Sequence, residues 1–177
     1  MISDKMLEAL NEQVNKEFYS AYLYLAMSAY CNTIGLPGFS NWMRQQYEEE
    51  ILHVTKMYDY ILDQGGQIHL KQIDEPKKEF GTPVETFEET LKHEQFVTGC
   101  INELMGMAVD ERDYATQTFL QWYVTEQVEE EENDNEIIDQ LKLIQDNPQG
   151  LLMLDRELGT RGANVPLDYA QGVKGGE

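Results

Sequence analysis

Six polar side chains able to bind metal recur at matched spacings along this chain of 177 residues: Glu17, Glu50, His53, Glu94, Gln127 and Glu130. Glu50-Ile-Leu-His53 sets a carboxylate and an imidazole three residues apart, and Gln127-x-x-Glu130 repeats that spacing. Residues 17, 50 and 53 recur as 94, 127 and 130, each displaced by 77 positions. On a helix, positions i and i+3 share one face, so Glu50 and His53 can grip a single ion. A buried carboxylate without a partner is expensive, and several together need positive charge among them. Two divalent cations would neutralise the four glutamates. Oxygen ligands with one nitrogen suit iron, manganese or zinc. Glu17, Glu50 and His53 would hold one ion, while Glu50 bridges to a second ion also held by Glu94 and Glu130. Gln127 would hydrogen-bond the site from beside it. A polar layer that only fixes helix pairing is the competing reading. Such a device needs one or two polar groups, and four acids exceed it.

The elements that must position these groups are legible from the breakers between them. Glycine and proline fall at 35–38, at 65–66, around 76–83, at 148–150 and again from Gly159 onward. The stretches between are rich in Glu, Leu, Met, Ala and Gln, which favour helices. They predict helices over 4–33, 38–64, 84–110 and 113–145, with a short fifth at 149–158. Leu7, Leu10, Val14, Glu17, Ala21, Tyr24 and Ser28 form one inward stripe. Phe39, Met43, Gln46, Glu50, His53, Met57 and Tyr60 form the second. Phe87, Leu91, Glu94, Thr98, Ile101, Met105 and Ala108 form the third, and Leu120, Tyr123, Gln127, Glu130, Asp134, Ile137 and Leu141 the fourth. Stripes stepping by three and four residues describe amphipathic helices, and four of them a bundle. No Lys or Arg lies on any stripe.

Tight turns near residues 35 and 112 make each half an antiparallel pair. Glu17, His53, Glu94 and Glu130 all lie 18 residues from their turn, about 27 Å along a helix. The segment 65–83 can stretch to about 60 Å, whereas a helix of this size is about 42 Å long. It therefore serves as a single long crossover that makes the second and third helices parallel. All six polar residues then meet in one layer.

Composition narrows the function classes. Thirteen basic residues against 33 acidic ones give a formal charge of −20. Such a surface repels phosphate backbones, so nucleic acid is not an expected partner. No apolar run reaches the ~18–20 residues of a membrane span. The opening MISDKMLEALNEQ lacks a basic stretch followed by an apolar one, and the two cysteines, Cys31 and Cys100, form no metal or disulfide motif. A cytoplasmic location is expected.

The stretches EFYSAYLYLAMSAY, GLPGFSNWMRQQYEEEILH, the His93-Glu94 pair and FLQWYVTEQVEEE closely resemble prokaryotic non-haem ferritins over about residues 1–158. The resemblance implies an all-α, ferritin-like four-helix bundle with one long crossover and a short fifth C-terminal helix. It implies a homo-oligomeric cage of twenty-four subunits and a two-iron ferroxidase centre that oxidises Fe(II) with O₂ or H₂O₂. Iron at the first position would be held by Glu17, Glu50 and His53, and at the second by Glu50, Glu94 and Glu130, with Gln127 beside it. Tyr24 matches a tyrosine near that centre, and Trp122 a tryptophan common in the prokaryotic branch. Glu49, Glu126 and Glu129 resemble a third iron site sharing Glu130. Gln at 127 and Glu at 130, where other carboxylate bundles carry a second Glu-x-x-His, point to the non-haem branch. Ile51 stands where bacterioferritins place their haem-ligating methionine, so no haem is expected there. Gln117 and Leu120 replace the acids that line the three-fold channels of animal-type ferritins, so iron is expected to use another route. Leu151-Leu-Met-Leu154 is expected to cap the bundle or form a subunit contact, and residues 159–177 to make a flexible, Gly-rich tail. A di-iron oxidase or peroxidase without storage, and a metal-free structural bundle, are the alternatives.

Overall fold

The computed structural model describes residues 2–145 and 147–162. Five helices follow in order: α1 (Asp4–Thr33), α2 (Pro37–Asp63), α3 (Pro83–Asp110), α4 (Tyr114–Ile144) and α5 (Pro148–Leu158), with no strand among the described residues. Residues 163–177, most of the expected tail, lie outside the described residues.

The helix ends follow from local chemistry. Ser3 accepts from the Met6 amide at the start of α1, Asp113 from Thr116 at the start of α4, and Asn147 from Gln149 and Gly150 at the start of α5. Thr82 and Glu85 cap α3 reciprocally, with Pro83 in the first turn, where its missing N–H costs nothing. The α1–α2 turn needs a left-handed residue and has Gly35 at φ 82°, where glycine is unstrained. Displaced by the same 77 positions, Arg112 takes φ 56° in the α3–α4 turn. The internal repeat thus extends from the polar layer to the turns.

α2 has no side-chain cap of its own. Its first amides are satisfied from a distance by Asp155 of α5, whose Oδ1 accepts from Gly38 N at 2.8 Å and Phe39 N at 3.1 Å. A carboxylate suits the positive end of a helix. A β-carbon at residue 38 would overlap the Asp155 carbonyl, so glycine is what lets α5 approach.

α1 pairs with α2, and α3 with α4. The crossover between Asp63 and Pro83 climbs beside α1. Asn11 donates to the Gln67 carbonyl and accepts from the His69 amide, and further up Tyr30 donates to the Gly81 carbonyl. That path makes α2 and α3 parallel, as the crossover's reach predicts. The apolar interior is divided in two. One cluster gathers Tyr24, Met27, Phe39, Trp42, Met43, Phe87, Leu141 and Leu154; the other gathers Met6, Leu10, Met57, Ile61, Ile101, Leu120 and Tyr123. The polar layer lies along the same stripes, between the two.

Candidate metal centre

Each of the four long helices carries its polar residues on its inward stripe, so the packing that buries Leu10, Phe39, Phe87 and Leu120 buries them as well. Glu17, Glu50, His53, Glu94, Gln127 and Glu130 are all between 1 and 4 % exposed. Their ligand atoms converge. His53 Nδ1 lies 3.9 Å from Glu17 Oε2 and 3.5 Å from Glu50 Oε2. Those three residues bring one ligand atom each within 4.8 Å of one another, and so do His53, Glu126 and Glu130. The two groups share His53, whose Nδ1 faces Glu17 and Glu50 while its Nε2 lies 3.9 Å from Glu126; Glu94, expected beside Glu50 and Glu130, falls in neither group.

Hydrogen bonds hold the carboxylates from behind. Gln13 Nε2 donates to Glu17 Oε1 at 2.8 Å, and Gln46 Nε2 to Glu130 Oε2 at 2.6 Å. Gln127 Nε2 donates to Glu94 Oε2 at 3.0 Å and to the Glu94 carbonyl at 3.2 Å. The Tyr24 hydroxyl donates to Glu94 Oε1. Tyr123 donates to the His53 carbonyl at 2.7 Å, and the Trp122 ring stands edge-on to the His53 ring with centroids 5.3 Å apart. On Glu17 and Glu130 this engages one oxygen and leaves the other without a donor from these amides, whereas both Glu94 oxygens accept, from Tyr24 and Gln127. Glu50 Oε2 is buried and has no hydrogen-bond partner at all. A buried oxygen left unpaired in this way fits a position that a cation completes.

The electrostatics agree. Burial, followed by Glu94, Glu17 and Glu130, raises the Glu50 carboxyl well above its usual range. Burial and then Glu94 push Glu130 up to about 8, against the help of His53 and Gln46. Glu94 is raised chiefly by burial, although Tyr24 and Gln127 stabilise its anion. Burial and Glu94 also raise Tyr24, which keeps its hydroxyl a donor. Without cations Glu130 holds its proton at neutral pH, and Glu50 and Glu94 give theirs up less readily than a free carboxyl does. A divalent ion would discharge them, so metal binding and proton release are coupled here.

Among the additional acids expected from the sequence, Glu49 is buried at 4 %, Glu126 is half-buried and Glu129 is exposed. Glu126 Oε1 lies 3.9 Å from His53 Nε2, and its carboxyl is raised mainly by burial, with Glu129 and Glu49 adding to the shift. These acids sit together against the outer side of the centre.

Four contributors went unnoticed in the sequence. Gln46 and Asp134 lie on the inward stripes, and Gln13 is buried one turn before Glu17. Asp134 is 1 % exposed, and neither of its oxygens has a hydrogen-bond partner. Its position four residues after Glu130 was the signal available. The fourth, Arg161, comes from beyond α5: its Nη2 lies 2.6 Å from Glu49 Oε2 and its Nη1 2.9 Å from Gln46 Oε1. Nothing in the sequence pattern signals that approach.

Comparison with known proteins gives the same architecture. A ferritin-like domain profile matches residues 7–144. The bacterial non-heme ferritin of Escherichia coli O6:H1 is 42% identical over 160 residues, spanning 90% of this chain and 97% of that protein. Its counterpart in Staphylococcus haemolyticus is 44% identical over 161 residues, 91% of this chain and 97% of that one. Among solved structures, the open pore ferritin of Archaeoglobus fulgidus superposes with a TM-score of 0.91 at 51% identity, covering 92% of this chain and all of that one. With the matched profile spanning most of the bundle and its carboxylate layer, the chain belongs to the ferritin family, among the prokaryotic non-haem ferritins.

Proposed function

We propose that the protein oxidises Fe(II) at the buried centre and stores the product as an Fe(III) oxyhydroxide mineral inside a shell of twenty-four subunits. The observation that carries this reading is the buried triad of Glu17, Glu50 and His53 with its unpaired Glu50 Oε2, beside Glu94 and Glu130, whose charges act on Glu50, and Gln127, which donates to Glu94. One substrate ion takes Glu17, Glu50 and His53; the other takes Glu50, Glu94 and Glu130. Two Fe(II) ions supply two electrons, enough to reduce O₂ to H₂O₂ or H₂O₂ to water. Carboxylate oxygens stabilise Fe(III) more than Fe(II), which favours oxidation.

The chain's own groups set up that step. Gln13, Gln46 and Gln127 orient their carboxylates, Tyr24 holds Glu94, and Tyr123 anchors the backbone at His53. The two apolar clusters keep bulk water out, which strengthens every charge interaction between them. Because carboxylates change denticity readily, the product ion can leave toward the mineral. Glu49, Glu126 and Glu129, with Glu130, form a third cation site beside the pair. We take residues 1–158 as the storage unit, residues 159–177 as a tail whose start returns to that unit through Arg161, and the cytoplasm as its location; no helix among the described residues is long and apolar enough to cross a membrane.

Stopped-flow oxidation of Fe(II), read with the native mass of the particle, tests this proposal. Glu17→Ala and His53→Ala should lose fast oxidation while the assembled particle persists. Wild-type rates in both variants would remove the site assignment. A native dimer would favour a non-storage oxidase, and the absence of stoichiometric metal binding a purely structural layer.

A further inference from the structure

The polar layer is ringed by acids, yet a guanidinium is docked against its edge. Arg161 Nη2 forms an ion pair with Glu49 at 2.6 Å, its Nη1 donates to Gln46 Oε1 at 2.9 Å, and its Cζ lies 4.4 Å from the centre of the Trp42 ring. Gln46 is fully buried, and its other end donates to Glu130 Oε2 at 2.6 Å. One amide therefore joins Arg161 to a carboxylate of the iron pair. The mount of Arg161 is a short segment after α5. Asn41 Nδ2 donates to the Leu158 and Arg161 carbonyls at 3.2 and 3.0 Å, and Gly159 and Gly162 flank it. The backbone is tied down, while the side chain, 20 % exposed, reaches in from the surface.

We propose that Arg161 is an internal counter-ion occupying the cation position at Glu49, which a divalent ion entering the third site must displace. This rests on reading Glu49, Glu126 and Glu129 as that site. A dication sharing Glu49 would lie within a few ångströms of the guanidinium. Unit charges that close inside a protein interact by more than a tenfold change in affinity. The third ion is consequently held more weakly than the other two and enters last. Its arrival releases Arg161 from Glu49 and from Gln46, which loosens the amide that holds Glu130. Arg161 is thus a positioning residue that couples loading of the third site to the pair beside it.

The test uses Zn(II), which takes oxygen and nitrogen ligands without redox chemistry, titrated by calorimetry into the assembled protein. Arg161→Gln should leave the first equivalent, at Glu17, Glu50 and His53, unchanged and bind the third at least about tenfold more tightly, with Arg161→Lys in between. Glu49→Gln should abolish the third equivalent in either background. In Trp122→Phe protein, where Trp42 is the remaining tryptophan, emission should change as the third equivalent binds, and Arg161→Gln should remove that change. An unaltered or weaker third equivalent in Arg161→Gln, with Glu49→Gln still abolishing it, overturns the role of Arg161 and leaves the third site standing. No third equivalent in any variant, or one that survives Glu49→Gln, overturns the site and with it the proposal.

Discussion

Glu50 Oε2 approaches His53 Nδ1 to 3.5 Å and still accepts no hydrogen bond. Two ligand atoms, one helical turn apart on α2, face the same point without satisfying each other. Glu17 from α1 faces it too, 3.9 Å from the same imidazole nitrogen. That point is the proposed cation position, and Glu50 the residue shared with a second one. Glu50→Ala should therefore cost binding at both positions, whereas Glu94→Ala should cost only the second. Zn(II) calorimetry distinguishes them: both tight equivalents weakened in the first variant, one in the second. Loss of a single equivalent in Glu50→Ala would remove its bridging role.

Stability without metal should depend on pH in an unusual direction. Glu50, Glu94 and Glu130 are raised in the fold, Glu130 to about 8. Between an unfolded carboxyl value of about 4.3 and those raised values, the folded chain binds more protons than the unfolded one. Stability is then greatest at the acid end of that window and falls as pH rises toward 8. Each carboxyl contributes up to about 1.4 kcal/mol per pH unit over its own window. Denaturation in chelator at pH 5 and pH 8 should show the higher pH to be less stable, and two equivalents of Zn(II) should reverse the order. Equal stability at both pH values would contradict the raised carboxyls.

Asp134 gives a cleaner version of the same test, because it stands four residues beyond Glu130 and lacks any hydrogen-bond partner. Burial, then Glu94 and Glu130, raise its carboxyl well above the usual value, with Arg161 opposing. Asp134→Asn should stabilise the metal-free protein by about 1–3 kcal/mol at pH 8. The gain should shrink as pH falls and the aspartic acid takes up its proton. A variant equally destabilised at both pH values would show that the carboxylate has a partner the fold depends on.

Asp155 joins the fifth helix to the centre indirectly. By accepting from Gly38 N and Phe39 N it ties α5, and the Arg161 segment behind it, to the start of α2. Asp155→Ala should cost about 1–2 kcal/mol, the usual price of a lost helix cap. It should also speed amide exchange at residues 38, 39 and 158–161 while leaving residues around Glu94 protected. Unchanged exchange at those amides would show that α5 is held by Leu154 and Leu158 alone.

The helices and the polar layer were legible in the sequence because both are periodic. Stripes stepping by three and four residues set the faces, and equal spacing from two turns set the level of Glu17, His53, Glu94 and Glu130. The 77-residue repeat reaches even to Gly35 and Arg112. Supporting residues were harder to see. Gln46 and Asp134 lie on the stripes, but a single amide or acid there looks like any polar interruption until its partners are placed. Gln13 sits off the α1 stripe and is buried by neighbours that the periodicity of one helix does not describe. Arg161 carries no periodic signal at all. It follows a helix end among glycines, and only the docking of α5 on Gly38 brings it back to Glu49.

Everything proposed for the buried layer follows from its being a two-ion centre. Anomalous diffraction from crystals loaded anaerobically with Fe(II) addresses it directly. Two peaks are expected in each subunit, about 3.5–4 Å apart, one among Glu17, Glu50 and His53 and the other among Glu50, Glu94 and Glu130. A layer that stays empty at saturating iron, with Glu50 Oε2 turned toward a protein donor, would contradict it.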